Sequence, residues 1–230
     1  NKGRKWRCRS TANVVQELKM LNKQGVRTIG FVDDNFLGFG TNGAKRAHEL
    51  AAAIKQEGID IRFAIEARVT EIKDDILKPL VESGLRQVFV GVESVNQRTL
   101  DYLNKGTTVQ DNYEALRTLE RLGIKYDIGY ILFEPGTTVQ ELLTSLKFLR
   151  ELPTFSIKNL NRLFIFRGTP LYESLGETAR DTEFYQGYGY KFNDPVVNNI
   201  WIVIESILNI IKRSTLLVIN LNILRGSANI

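Results

Sequence analysis

QVFVGVES, residues 87–94, decides the fold. It is an apolar run of one strand's length that closes on Glu93 and Ser94. A carboxylate inside such a run is costly to bury without a partner, so Glu93 marks a strand end with a task. The pattern repeats on both sides, in TIGFVDDNF (28–36), IRFAIEAR (61–68), KYDIGYILFEPG (125–136) and NRLFIFRGTP (161–170). Each stretch ends on polar, acidic or Pro/Gly residues. The anchors Asp33, Glu66, Glu93, Phe133 and Phe166 stand 33, 27, 40 and 33 residues apart, the length of a strand-helix unit. Polar groups at the carboxyl ends of parallel strands are where such folds place their active sites.

Helical patterns fill the gaps. They are expected over about 12–24, 43–57, Asp74 to Gly84, 96–122 with a break near 106–108, and 138–151. Ser10 or Thr11 caps the first, and Gly25 ends it. Its apolar face is Val14, Val15, Leu18 and Leu21. Asp74 and Asp75 favour a helix start. The strand over 27–32 is apolar enough to be covered on both faces. Every crossover contains a helix, so the sheet should be parallel with right-handed connections. The expected fold class is α/β: a partial parallel (β/α) TIM-like barrel of five strands over 1–172, with a helical extension over 173–230. In that extension Val197, Ile200, Trp201, Ile204, Leu208 and Ile211 share one helical face. Packing on the barrel is favoured there over an interfacial membrane contact. The uncharged run 214–224 is too short to span a bilayer, which takes about 20 residues.

The 230 residues suffice for one large α/β domain. One cysteine excludes an internal disulfide and, with no signal-peptide pattern, points to the cytoplasm. A net charge of +5, from 31 basic and 26 acidic residues, permits an anionic partner without requiring one. The basic opening Lys2–Arg9 around Trp6 reads as a solvated loop over the active-site mouth rather than a nucleic-acid surface. The chain begins at Asn1 and its only methionine is Met20, so a segment of a longer protein is expected.

Two constellations could carry chemistry. GFGTNG, from Gly38 to Gly43, matches G-x-G-x-x-G after a strand and before a helix. It would make a nicotinamide-dependent oxidoreductase, but Asp33 and Asp34 would repel a pyrophosphate there, and the glycines follow the strand at a distance. A flexible loop accounts for them better. The second constellation is the set of strand ends: Asp33, Asp34 and Asn35; Glu66 and Arg68; Glu93 and Ser94. On parallel neighbours these groups converge on one rim. They suit a zwitterionic ligand with a ribose, because carboxylates accept from ammonium and hydroxyl groups while Arg68 can hold a carboxylate. Helix capping is the competing account of Asp34 and Ser94. Cys8 reads as a loop or structural thiol. His48 is the only histidine, so His-based metal sites and triads have no support. Leu146, Phe148 and Leu149 read as core.

FVDDNF, GVES, GYILFEPGTT and FRGTPLYE together resemble the radical S-adenosylmethionine enzymes, above all the class whose longer members carry an upstream cobalamin-binding domain. The opening R-x-R-S-x-x-x-V-V-x-E-L, Arg7 to Leu18, resembles the segment just after that family's iron-sulfur loop. The likeness spans about 4–172. It implies that Asp34 and Asn35, in place of the Gly-Gly-Glu of other members, meet the methionyl ammonium, and that Arg68 pairs with the methionyl carboxylate. It also implies that Glu93 and Ser94 contact the ribose. The backbone around Ile131–Phe133 and Phe166–Gly168 would flank the adenine, with Glu66 near the substrate or the ammonium. The implied cofactors are S-adenosylmethionine and a [4Fe-4S] cluster, with cobalamin in the same class. The implied activity is modification, such as methylation, of an unactivated carbon in a small molecule or peptide. The sequence departs from the family twice. The C-x-x-x-C-x-x-C loop is absent, and Cys8 alone cannot hold a four-iron cluster. The ligands are therefore expected upstream, and the chain alone is expected to be inactive. Phe133 and Glu134 stand where many relatives have glycine and an apolar residue. Other readings are a ligand-binding barrel without catalysis and an RNA-modifying relative.

Overall fold

The computed structural model describes residues 7–38, 40–153, 161–166, 168–175 and 190–226, with side chains left undescribed at 41, 175 and 212–226. Lys2 to Trp6 and the polar aromatic stretch 176–189 lie outside the described residues.

The chain opens with α1 (Thr11–Lys23), whose cap is Ser10: its hydroxyl accepts from the Asn13 amide at 3.3 Å. There follow β1 (Thr28–Gly30), α2 (Gly40–Gln56), β2 (Arg62–Arg68), a 3-10 turn (Val69–Glu71) and α3 (Asp74–Glu82). Next come β3 (Leu85–Glu93), α4 (Gln97–Tyr102), α5 (Val109–Arg121), β4 (Lys125–Tyr130) and α6 (Val139–Glu151). The last elements are α7 (Pro170–Leu175) and α8 (Pro195–Gly226). As the helical crossovers require, all strand pairings are parallel, in the order β1-β2-β3-β4. The expected break in 96–122 is real, and it separates α4 from α5.

The described residues group into two compact units, Asn1–Leu132 with Ser145–Asn161, and Phe133–Thr144 with Arg162–Ile230. The first holds the sheet. Its strands alternate: Val88, Val90 and Val92 are fully buried, whereas Gln87 before them and Phe89 among them are exposed. Each buried valine stabilises the sheet by about 1.5–3 kcal/mol. α5 buries Asn112, Ala115, Leu116 and Leu119, one helical face, and α3 buries Ile76, Leu77 and Leu80. Phe148 and Leu149 are buried as expected, but Leu146 is exposed. In the second unit Phe133 packs edge-on against Trp201 (5.1 Å) and Phe192 (5.9 Å), and the Arg162 guanidinium lies 4.1 Å from the Tyr190 ring centre. α8 buries Val197 and Trp201 there, but Ile211, expected on the same packed face, is exposed. Among the described residues no helix is long and apolar enough to cross a membrane.

Three expectations about the strands and the glycine turn are corrected. The first strand is short and lies at the edge rather than covered on both faces. After Gly30 the Phe31 amide still reaches the Ala64 carbonyl (3.0 Å), but the chain then leaves the sheet and returns only where the Phe36 amide meets the Glu66 carbonyl (2.9 Å). Val32, in between, is 91% exposed. The fifth strand is reduced to an isolated parallel bridge, Phe133 with Arg162, so the described sheet has four strands and is not closed. The Gly-rich stretch is not a flexible loop: α2 begins at Gly40, within it.

Candidate functional site

The carboxyl ends of β2 and β3 build the site. β3 loses register between Gly91 and Glu93, so that Gly91 pairs with Gly129 and Glu93 with Tyr130. Such a bulge re-aims a side chain. Glu93 also takes a φ of 63°, in the left-handed region that a non-glycine residue rarely adopts. Its carboxylate folds back along the strand, where Gly91 leaves room: a Cβ on Gly91 would lie 3.1 Å from Glu93 Oε1. The Glu93 carbonyl accepts from the Ile131 amide at 2.8 Å, which ties the turn to the segment after β4.

A cavity of about 190 Å³ opens beside it, lined by Asp34, Glu66, Arg68, Phe89, Glu93 and Lys105 among others. Four of the residues expected on the rim are thus brought together. Arg68 Nη2 donates to the Lys105 carbonyl at 2.8 Å, and Lys105 Nζ meets Glu93 Oε1 at 2.7 Å. Behind Arg68, burial pushes the Glu71 carboxyl above the ordinary carboxylate range, while the Thr70 hydroxyl and Arg68 pull it the other way. Phe89 is 42% exposed in the middle of the sheet and pairs with Glu66 on one side and Asp127 on the other.

Other expected residues stand elsewhere. Asn35 Nδ2 donates to the Gly38 carbonyl at 3.1 Å. Ser94 is 1% exposed, and its hydroxyl accepts from the Asn96 amide at 3.1 Å, within the turn before α4, whose N-cap is Asn96 rather than Ser94. Phe133, Phe166 and Gly168 belong to the second unit. The Phe133 carbonyl there accepts from the Leu163 amide (2.7 Å) and the Tyr190 hydroxyl (3.1 Å), while the Phe166 side chain is exposed. Sequence reasoning missed Lys105, Phe89 and Asn112. Asn112 is fully buried and its amide donates to the Val92 (3.0 Å) and Ser94 (2.8 Å) carbonyls, fixing the GVES turn from α5. A polar residue at a core position of a helical pattern was the available signal for Asn112. A lysine in a helix break gave none.

The cavity offers carboxylate acceptors beside a guanidinium and an ammonium, so it suits a ligand that carries hydroxyl or ammonium donors together with a carboxylate. Ligand sites usually exceed about 300 Å³, so this cavity has room only for the polar portion of a larger molecule. A cavity of about 960 Å³ runs between α1 and α2, lined by Arg9, Asn13, Met20, Lys23 and Glu57 among others. It is an open groove edged by the surface ion pairs Arg9–Glu17 and Lys19–Glu57, without strand-end groups, which leaves the smaller cavity as the candidate site. Gly43 serves packing: a Cβ there would stand 1.9 Å from the Leu37 carbonyl oxygen. That close approach accounts for this glycine without a dinucleotide. For an iron-sulfur cluster the residues do not fit. The only cysteine, Cys8, is exposed, and no group of three or more His, Cys, Asp or Glu side chains arranged to hold a metal ion occurs among the described residues.

Residues 1–149 match the family model described as the Radical SAM superfamily. An uncharacterized methyltransferase of Pyrococcus horikoshii is 33% identical over 151 residues, 65% of this chain and 32% of that protein. The anaerobic magnesium-protoporphyrin IX monomethyl ester cyclase of Cereibacter sphaeroides is 27% identical over 199 residues, 84% of this chain and 31% of that protein. In fold the chain is similar to the cobalamin-dependent S-adenosylmethionine radical enzyme OxsB with aqua-cobalamin bound, at a TM-score of 0.73 and 22% identity over 86% of this chain and 37% of OxsB. The chain thus spans about a third of the length of the curated relatives it matches.

Proposed function

This chain belongs to the radical SAM superfamily, and from that premise we propose that it forms the part of the enzyme that binds S-adenosylmethionine, through the rim cavity of β2 and β3. The observation that carries the reading is the convergence of Glu93, Arg68, Glu66 and Asp34 on one cavity. Arg68 receives the methionyl carboxylate. Asp34 and Asn35 meet the ammonium, with Glu66 beside them or beside the substrate. Glu93 accepts from the ribose hydroxyls, and Ser94 holds the turn on which it stands. The backbone around Ile131, tied to the Glu93 carbonyl, flanks the adenine.

S-adenosylmethionine held by Arg68, Asp34, Asn35 and Glu93 would supply carbon-radical chemistry: one-electron reduction of its sulfonium would break the C5′–S bond and release methionine. The electron source, the [4Fe-4S] cluster of the superfamily, is held by residues outside this chain. The chain's own part is to bind, orient and keep water from the reactive group. We place the catalytic segment within 1–172, with 173–230 as a helical extension.

The activity of the whole protein follows the relatives: modification of an unactivated carbon of a small molecule, by methylation or ring closure. Cobalamin, bound by an upstream domain, would carry the methyl group, in line with the OxsB fold. A cytoplasmic location agrees with the exposed free thiol of Cys8.

The test is calorimetric titration of the parent chain and Glu93→Ala with S-adenosylmethionine. Loss of a hydrogen bond to a charged group should weaken binding about tenfold or more. Equal affinities would remove the ribose assignment.

A further inference from the structure

Lys105 sits between α4 and α5, and two of its atoms serve the cavity. Its ammonium meets Glu93 Oε1 at 2.7 Å, and its backbone carbonyl accepts from Arg68 Nη2 at 2.8 Å. An ordinary surface lysine pair contributes little, because a long side chain must be ordered in water. This pair differs on two counts. The side chains are only 30% and 21% exposed, and the backbone of the loop is pinned at both ends. On the near side the Lys105 amide donates to the Leu100 carbonyl (3.1 Å) and the Asn104 amide to the Asp101 carbonyl (2.9 Å). Past Lys105, Gln97 Nε2 donates to the Thr107 carbonyl (3.2 Å), and Gln97 Oε1 accepts from the Val109 amide (3.1 Å). On the far side Thr108 and Asp111 form a capping box at the start of α5. Thr107 is buried, and Asn104 holds a left-handed φ of 49°. The ammonium and the carbonyl are therefore presented by a preorganised turn.

From this geometry we propose that Lys105 is a positioning residue for the ligand site. Its ammonium sets the Glu93 carboxylate, and its carbonyl sets the Arg68 guanidinium. One residue thereby fixes the spacing between the acceptor for the nucleoside end and the donor for the amino-acid end. A carboxylate has about four acceptor positions. Lys105 takes one, which leaves capacity for ligand hydroxyls. The ion pair with Lys105 also aims Glu93, so a ligand meets an ordered acceptor rather than a mobile one. The inference rests on the reading of this cavity as the S-adenosylmethionine site.

The two contacts come from different atoms, and that makes them separable. Lys105→Met removes the ammonium and leaves the carbonyl on Arg68. The full chain, as parent, K105M and K105R, is titrated calorimetrically with S-adenosylmethionine, 5′-deoxyadenosine and methionine. K105M is expected to bind S-adenosylmethionine and 5′-deoxyadenosine about tenfold more weakly, with methionine affinity unchanged. K105R, which keeps the charge, is expected to recover most of the loss. A purely structural lysine would move both fragments together, so equal losses on both, unchanged affinity for all three, or a K105R as weak as K105M would each overturn the proposal. No binding of S-adenosylmethionine to the parent at millimolar concentration would overturn the reading of the cavity itself. Parent binding that K105M leaves intact would overturn only the role of Lys105.

Discussion

Glu93 carries the clearest residue-scale tension. A non-glycine residue at positive φ costs on the order of 1–3 kcal/mol and persists where the surroundings over-determine it. Here the bulge beside Gly91, the Ile131 amide and the Lys105 ammonium do so. The residue was legible in the sequence because a carboxylate inside VFVGVES had to be explained. Lys105 was not, because a charged residue in a helix break looks the same whether it faces solvent or a carboxylate. Glu71 supplies a pH prediction of definite sign. Burial raises its carboxyl above the ordinary range, so the folded chain holds this proton more tightly than the unfolded chain does. Below the ordinary carboxyl pKa both states are protonated and there is no penalty. As pH rises from there through the raised value, the unfolded state releases its proton first and stability falls. Glu71→Gln should therefore gain on the parent as pH rises from acid to neutral, measured as urea midpoints at both ends. A variant less stable than the parent at neutral pH would contradict this account.

The strands with a neighbour on each side were the legible elements. β2 and β3 alternate buried and open positions between two partners, and the two-residue period records that directly. TIGFVDDNF and NRLFIFRGTP misled for one shared reason. An apolar run reports burial or β propensity, not how many strands lie beside it. β1 has a partner on one side only, and 161–166 retains a single bridge. The glycines before α2 misled in another way: a flexible loop and a tight helix start both need glycine, and only coordinates distinguish them. Gly43→Ala tests the tight reading. Its Cβ would meet the backbone oxygen of Leu37 at 1.9 Å, and a backbone atom cannot swing aside. The start of α2 must shift, at a cost of about 1–3 kcal/mol typical of overpacking. Urea unfolding should show that loss, whereas an unchanged midpoint would restore the flexible loop.

At the scale of the whole chain, a superfamily fold and a rim of converging polar groups stand beside a single cysteine. The ordered set of strand-end motifs made both the fold class and the family readable. The missing cysteines were equally readable, since a count of one settles the matter without coordinates. What could not be read was which rim groups meet, because that depends on the bulge in β3 and on the turn that carries Lys105. A four-iron cluster needs about four thiolates or equivalent ligands, and Cys8 is exposed with no cluster of three or more ligating side chains among the described residues. Anaerobic incubation of this chain with iron and sulfide, followed by desalting, should therefore leave no stoichiometric iron, and Cys8→Ser should behave like the parent. Visible absorbance and iron analysis read both. S-adenosylmethionine affinity should survive the treatment unchanged if the proposed rim groups bind the ligand, because none of them is a thiolate. Retention of a four-iron cluster by this chain would mean that its residues hold the metal after all, and the division of labour argued here would fail.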